Sequence, residues 1–315
     1  MKILVRAPNW LGDAVMSTPF LKRLAAKHPG ALIDVLAKPS VAGVFNGMPG
    51  LRRVIRMNTP EAAPAALKIE SYETSYILPT SFSSAWKMFR AGIPRRIGYA
   101  AEFRSFALTE ALPLEERYHY VRRYLGLIGE EGRDVTPEDF YFPTEDPPFV
   151  LPEGPVFAIA PGSRAPARRW FPERFAAVVD GLPAGTVLLL GAPEDAPWAA
   201  RTADAVHRPI LNLCGRTTLP VLGGLLKRCR ALIANESGLM HAAWAVGTPM
   251  VIVAGPSEPR CTSPFGARVR ILQLREIPCV PCVKNECFRP AEDKVACLKA
   301  VPPSEVLSAV QNLLV

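Results

Sequence analysis

At 315 residues, 49% hydrophobic and 21% charged, the chain has the composition of a soluble globular protein and enough length for two domains. No stretch reaches the run of about 20 apolar residues that a membrane-spanning helix needs. A formal net charge of +8 and a pI near 9.2 point to acidic partners such as phosphates, nucleic acid or an anionic membrane surface, without choosing among them.

The first residues, "KILVRAP", already read as a strand rather than a signal peptide, which predicts a cytoplasmic location. "NWLGDAVMSTP" follows at residues 9–19 and places Asp13 where the strand hands over to a helix. An aspartate there fits two roles: an N-cap for the helix, or a reactive carboxylate at the carboxyl end of a parallel strand. The helix runs on through "AVMSTPFLKRLAAKH", with Pro19 marking a kink or a restart. "ALIDVLA" and "ETSYILP" read as further strands and "EERYHYVRRYLGLIG" as a helix. Between residues 52 and 104, nine Lys and Arg side chains face only four acids. Arg52, Arg53, Arg56, Arg95 and Arg96 are therefore candidates for holding an anionic substrate. "SFSSAWKMFRAGIP" fits an ordinary amphipathic helix and a lipid-touching one equally well. Five prolines between Pro143 and Pro155 then form a stiff, helix-hostile linker, which predicts domains at 1–150 and 151–315.

Beyond the linker the alternation resumes. "VFAIAPG", "TVLLLGAP", "ALIAN" and "PMVIVAG" are continuous apolar runs suited to buried parallel strands. "PERFAAVVDGL", "LPVLGGLLKRC" and "SGLMHAAWAVG" read as the helices between them. Two successive α/β layers follow, with a ligand expected in a cleft facing the strand ends.

Three strand ends in this half carry polar groups suited to a nucleotide. Ser237 and Gly238 lie at an expected helix N-terminus, where free N–H groups and the helix dipole attract phosphate. His241 follows one turn later, and Glu236 precedes them, either as a cap or as a ligand group. In "APGSRAPARRWFPERF", Ser163, Arg164 and Arg168 combine hydroxyl and guanidinium groups able to grip a diphosphate, or form a solvated basic loop. In "LLLGAPEDAP", Glu194 is placed to accept hydrogen bonds from a ribose. Neither a P-loop nor a G-x-G-x-x-G fingerprint is present. Cys279, Cys282, Cys287 and Cys297 begin with a C-x-x-C pair whose spacing fits a structural zinc, a dithiol or buried free thiols.

"NWLGDAVMSTP", "RRWFPERF" and "NESGLMHAAWAVGTPMVIVAGPSEP" together resemble glycosyltransferase family 9, the ADP-heptose:lipopolysaccharide heptosyltransferases. "PCVPCVKNEC" looks most like its heptosyltransferase II branch. The resemblance implies an α/β GT-B architecture, two Rossmann-like α/β/α domains facing a central cleft, with acceptor bound by 1–150 and nucleotide-sugar by 151–315. It implies an inverting transfer of heptose from ADP-heptose to a lipid A–Kdo inner-core acceptor, with no required cofactor and with peripheral contact at the cytoplasmic face of the inner membrane. Asp13 takes the place of the family's proposed general base. Ser163 and Arg164 fall beside the diphosphate, and Arg168 stands where a lysine is usual. Glu236 replaces the aspartate of the D-S/T-G-x-x-H block, which Ser237, Gly238 and His241 match. A donor other than ADP-heptose, or a non-catalytic nucleotide-sugar binder, are the competing readings. A nucleic-acid binder is the third, supported by charge alone and by no recognition motif.

Overall fold

The computed structural model describes residues 1–314, and the chain divides into two units after Pro143. The first unit is a six-stranded parallel sheet of β1 (Lys2–Arg6), β2 (Leu32–Ala37), β3 (Arg53–Arg56), β4 (Thr74–Ile77), β5 (Arg95–Tyr99) and β6 (Glu110–Leu112), in the order β3-β2-β1-β4-β5-β6. The second holds β7 (Val156–Ala160), β8 (Thr186–Leu189), β9 (Leu211–Asn212), β10 (Ala231–Asn235), β11 (Met250–Val253) and β12 (Val269–Leu272), also parallel, in the order β12-β11-β10-β7-β8-β9. The two orders are the same doubly wound pattern. In each, the first strand lies beside the fourth and the chain reverses direction across the sheet between them. Ligands of such sheets sit at that switch point, beyond the carboxyl ends of the strands.

The central strands are buried along nearly their whole length because both sheet faces are covered. Leu4, Leu36, Ile77 and Met88 anchor one core; Phe157, Trp170, Phe175, Ile233 and Val251 anchor the other. The expected strands at the starts of both units, and the helices Pro172–Gly181, Leu219–Arg228 and Gly238–Ala245, form where the apolar pattern places them. β3, β5, β6, β9 and β12 are additional; β3 and β5 begin with arginines, which hide a strand from an apolar-run criterion. Pro19 marks a restart: helices Leu11–Met16 and Thr18–Lys27 are separated by Ser17. The hydroxyls of Ser17 and Thr18 donate to the carbonyls of Ala14 and Val15, each at 2.7 Å. The helix expected from residue 115 starts only at Tyr120, where His119 Nδ1 accepts the Val121 N–H as an N-cap.

The proline-rich segment begins its association with the second unit earlier than residue 151. The Glu145 N–H donates to the Pro220 carbonyl at 2.8 Å, and Gly224 lies against the Glu145 backbone. A Cβ on Gly224 would come within 1.9 Å of the Glu145 oxygen, so only glycine admits this approach.

Candidate active site

In the first unit the switch point lies between β1 and β4, and the loop leaving β1 carries Asp13. Asp13 is not the N-cap of its helix. Trp10 holds that position without a side-chain capping bond, and Asp13 stands in the first turn, half-buried. A carboxylate there is favoured by the helix dipole. Tyr124 is near: burial raises its phenol well above its ordinary pKa, and the Asp13 carboxylate adds to the shift. The loop itself is held by Arg6, the last residue of β1, which is buried and donates to the Ala7 carbonyl and to Asn9 Oδ1. Burial pulls the Arg6 pKa down to about 10, and its Nε has no partner.

The basic residues expected to hold the acceptor separate into two groups. Arg56 ends β3 at the carboxyl edge, exposed, on the same edge of the sheet as Asp13. Arg52, Arg53, Arg95 and Arg96 lie at or before strand beginnings, at the opposite edge, and have partners there. Arg52 and Arg53 both bind the buried carboxylate of Asp34, at 2.8 Å and 3.0 Å, and both reach Glu70. Burial alone would raise the Asp34 pKa; hydrogen bonds from Arg52, Tyr72 and Arg53 outweigh it and hold the pKa below its ordinary value. Arg95 forks onto Glu110, and Arg96 donates to the carbonyls of Ile93, Pro94 and Ala107. These four are ties of the fold, and a basic stretch read without topology cannot distinguish them from Arg56.

In the second unit the switch point lies between β7 and β10, and most of the predicted donor residues meet there. Ser163 is buried beyond β7, and its Oγ donates to the Glu236 carbonyl at 3.2 Å. Ser237 is the N-cap of the Gly238–Ala245 helix and makes no side-chain capping bond, so Gly238 opens a helix whose first turn is uncapped. Such an N-terminus attracts anionic oxygens. His241, one turn in, is buried. Arg168 is half-buried, and its charge reaches Glu236. Its Nε is buried without a partner, leaving a donor unsatisfied beside the β7/β10 switch point. Arg164 is exposed on the same loop.

Two carboxylates differ from expectation. Glu236 does not present its side chain outward. It is buried and accepts from the Ser257 hydroxyl at 2.5 Å and the Ser263 hydroxyl at 3.3 Å. Burial raises its pKa against the lowering effect of those bonds and of Arg168. It ties β10 to the segment after β11 and so positions the loop bearing Ser237. Glu194 is exposed, while its neighbour Asp195 turns inward: Asp195 accepts the Ala192 N–H at 3.1 Å and lies against Gly162. A Cβ on Gly162 would fall within 2.2 Å of its carboxylate oxygen. Asp195 and Asn235 are the residues the sequence reading passed over. Asn235 is fully buried and bridges the loops, accepting the Trp170 N–H at 2.9 Å and donating to the Pro161 carbonyl at 2.6 Å. The last residue of an apolar strand, polar and just before the helix-opening Ser-Gly, was the available signal.

The four C-terminal cysteines gather around one small cavity. Cys279 Sγ faces the Arg289 guanidinium, and Cys287 Sγ accepts the Val295 N–H at 3.3 Å. All are reduced. Among the described residues no three His, Cys, Asp or Glu side chains are arranged to hold a metal ion. Nor, among those residues, is any helix long and apolar enough to cross a membrane.

Residues 63–291 match the model of glycosyltransferase family 9 (heptosyltransferase). Lipopolysaccharide heptosyltransferase 2 of Escherichia coli K12 is 31% identical over 307 residues, 87% of this chain and 88% of the relative. Lipooligosaccharide heptosyltransferase 2 of Haemophilus influenzae is 29% identical over 88% of this chain and 89% of its own length. The solved structure of E. coli ADP-heptose lps heptosyltransferase II superposes with a TM-score of 0.82 at 28% identity, covering 100% of this chain and 98% of that one. A glycosyltransferase family 9 structure from Veillonella parvula, 20% identical, shares the fold at a TM-score of 0.81, over 99% of this chain and 97% of that one. With its two parallel six-stranded sheets in GT-B form, the chain belongs to glycosyltransferase family 9, the heptosyltransferases.

Proposed function

We propose that this chain is an inverting glycosyltransferase that moves heptose from ADP-heptose to the inner core of lipopolysaccharide. The observation that carries the reading is the convergence of Ser163, Arg168 and the uncapped Ser237–Gly238 helix end at the β7/β10 switch point, in a chain 31% identical to a lipopolysaccharide heptosyltransferase 2. On this reading the second unit binds the donor. The helix N-terminus and the Arg168 guanidinium stabilise the charge that builds on ADP as the sugar–phosphate bond breaks. Asp195 or Glu194, on the loop after β8, takes the ribose hydroxyls.

The first unit supplies the base. Asp13 accepts the proton of an acceptor hydroxyl as that oxygen attacks C1 of heptose, opposite the departing ADP, which leaves with the bond's electron pair. Arg6 and Asn9 hold the Asp13 loop in place. Arg56, exposed at the same edge, faces the carboxylates and phosphates of the acceptor. The transfer requires no metal, and the enzyme works at the cytoplasmic face of the inner membrane, in peripheral contact with it.

Turnover with a panel of nucleotide sugars and defined lipid-core acceptors tests this. ADP-heptose is expected to be used in preference to UDP- and GDP-sugars, and turnover is expected to persist in chelator. Preference for another donor, or loss on chelation with recovery in magnesium, would contradict the reading. Metal analysis of the same preparation decides between zinc at Cys279, Cys282, Cys287 and Cys297, which surround one cavity, and four reduced thiols.

A further inference from the structure

We propose that the outer face of the Phe82–Arg90 helix, with the loop at 102–106, is a docking surface for an anionic phospholipid bilayer. The helix turns Ser84, Ala85 and Met88 into the core, and Phe82, Trp86 and Phe89 outward at the helical spacing. The outward rings are not scattered. Phe82 stacks on Trp86 at 6.1 Å between centroids, and Trp86 on Phe89 at 5.3 Å. Phe106, from the turn after β5, lies within 6.5 Å of all three. Four aromatic rings thus form one continuous apolar surface, although each remains open to solvent. Contiguous exposed apolar area of this kind marks an interaction surface.

A fifth ring is presented at a cost in backbone strain. Glu102 and Phe103 both have left-handed backbone angles, φ of 44° and 55°, which non-glycine residues seldom adopt. Phe103 is 97% exposed, so its ring gains no packing within the chain in return. The loop is nonetheless fixed. Glu102 accepts the Phe82 N–H at 2.9 Å, and the fully buried Arg104 donates to the carbonyls of Pro79, Ser81 and Tyr99. A rigid loop holding an aromatic side chain in water, beside an aromatic patch, is built to meet something apolar.

Charge selects the occupant. Between residues 79 and 110, five basic side chains stand against two acidic ones. Arg90 is exposed on the helix beside the rings, and the Arg96 guanidinium lies 5.4 Å over the Phe89 ring. Aromatic rings with flanking cations match a bilayer that offers acyl chains beneath phosphate headgroups. A second copy of this chain would set Arg90 and Arg96 against their own equivalents, like charge against like. The loops carrying Phe82 and Phe103 follow the carboxyl ends of β4 and β5, the edge of the sheet that bears Asp13. The Phe82 and Phe103 end of this face therefore reaches the edge where a lipid-linked acceptor would be needed, while Phe89, Arg90 and Arg96 lie toward the opposite edge. The assignment of the surface rests on the peripheral-contact reading above, but its test does not need turnover.

Flotation of the full chain with vesicles measures it directly. The chain is expected to float with vesicles of phosphatidylcholine mixed with phosphatidylglycerol, and much less with phosphatidylcholine alone. Phe103→Asn, which suits a left-handed backbone and removes no internal contact, should weaken flotation several-fold, and Phe103→Asn/Phe106→Ser about tenfold or more. Arg90→Glu should weaken it on the anionic vesicles only. Transfer to a deacylated, water-soluble acceptor should be unchanged in all three. Parent and Phe103→Asn floating equally would overturn the proposal. So would a chain that ignores vesicles but self-associates through these rings, becoming monomeric in the variants. Because flotation and transfer are read separately, loss of one without the other shows which proposal has failed.

Discussion

The two units have the same strand order, yet they differ in what stands at the switch point. In the first, the loop after the first strand carries a carboxylate, Asp13, on a short helix, with a buried arginine behind it. In the second, the loop after the first strand carries hydroxyl and guanidinium groups, and the fourth strand leads into an uncapped helix N-terminus. One end is suited to receiving a proton and the other to receiving an anion. The comparison teaches that the shared topology fixes where chemistry can occur, while a few residues in the switch-point loops decide which chemistry.

The largest expected effect lies in the second unit. Asn235→Ala leaves the Trp170 N–H and the Pro161 carbonyl buried without partners, which should cost about 2–4 kcal/mol in chemical unfolding. It should also weaken ADP binding, because both loops of the site lose their bridge. Full stability in that variant would mean the loops hold themselves.

The first unit should respond to acid through Asp34. Its folded pKa lies below the unfolded value, so its contribution is present above about pH 4 and is lost as pH falls through the lower folded value. Asp34→Asn should cost about 2 kcal/mol at pH 7, reduced from a fully buried pair because Arg52 and Arg53 are partly exposed, and should flatten the acid limb of the stability curve. An unchanged acid limb would remove Asp34 from the account.

The smallest effects concern the arginines. Arg95→Ala breaks an exposed pair with Glu110 and should cost less than about 1 kcal/mol, with turnover within about twofold. Arg56→Ala should instead raise the KM for an anionic acceptor several-fold at low salt and less at high salt. If Arg95→Ala raises KM and Arg56→Ala does not, the edge-to-edge distinction is wrong.

The second unit was the more legible of the two. Its strands at 156–160, 231–235 and 250–253 are apolar but for the closing Asn235, and the Ser-Gly after Asn235 announces the helix. The first unit hid β3 and β5 because their leading arginines read as a basic surface, when in the fold they pair with Asp34 and Glu110 on adjacent strands and with Glu70 at the end of the helix Pro64–Ile69. Those partners are 15 to 19 residues away or reached only through sheet register, and local patterning carries no information about register. The sequence around Asp13 leaves two roles open that depend on where the helix begins: the cap is residue 10, not 13. Glu194 and Asp195 show the same limit, since adjacent carboxylates on a tight turn point to opposite sides.

The most direct test of the division of labour measures ADP affinity and turnover side by side in Asp13→Asn and Arg168→Ala. A base that does not touch the nucleotide predicts that Asp13→Asn lowers kcat by about 10²–10⁴-fold while the Kd for ADP stays within twofold of the parent, about the precision of the measurement. Arg168→Ala is expected to raise that Kd about tenfold, an effect that shrinks as salt is added. If Asp13→Asn loses donor affinity in step with turnover, or Arg168→Ala binds ADP as the parent does, base and anion site are not assigned to the two units as described here.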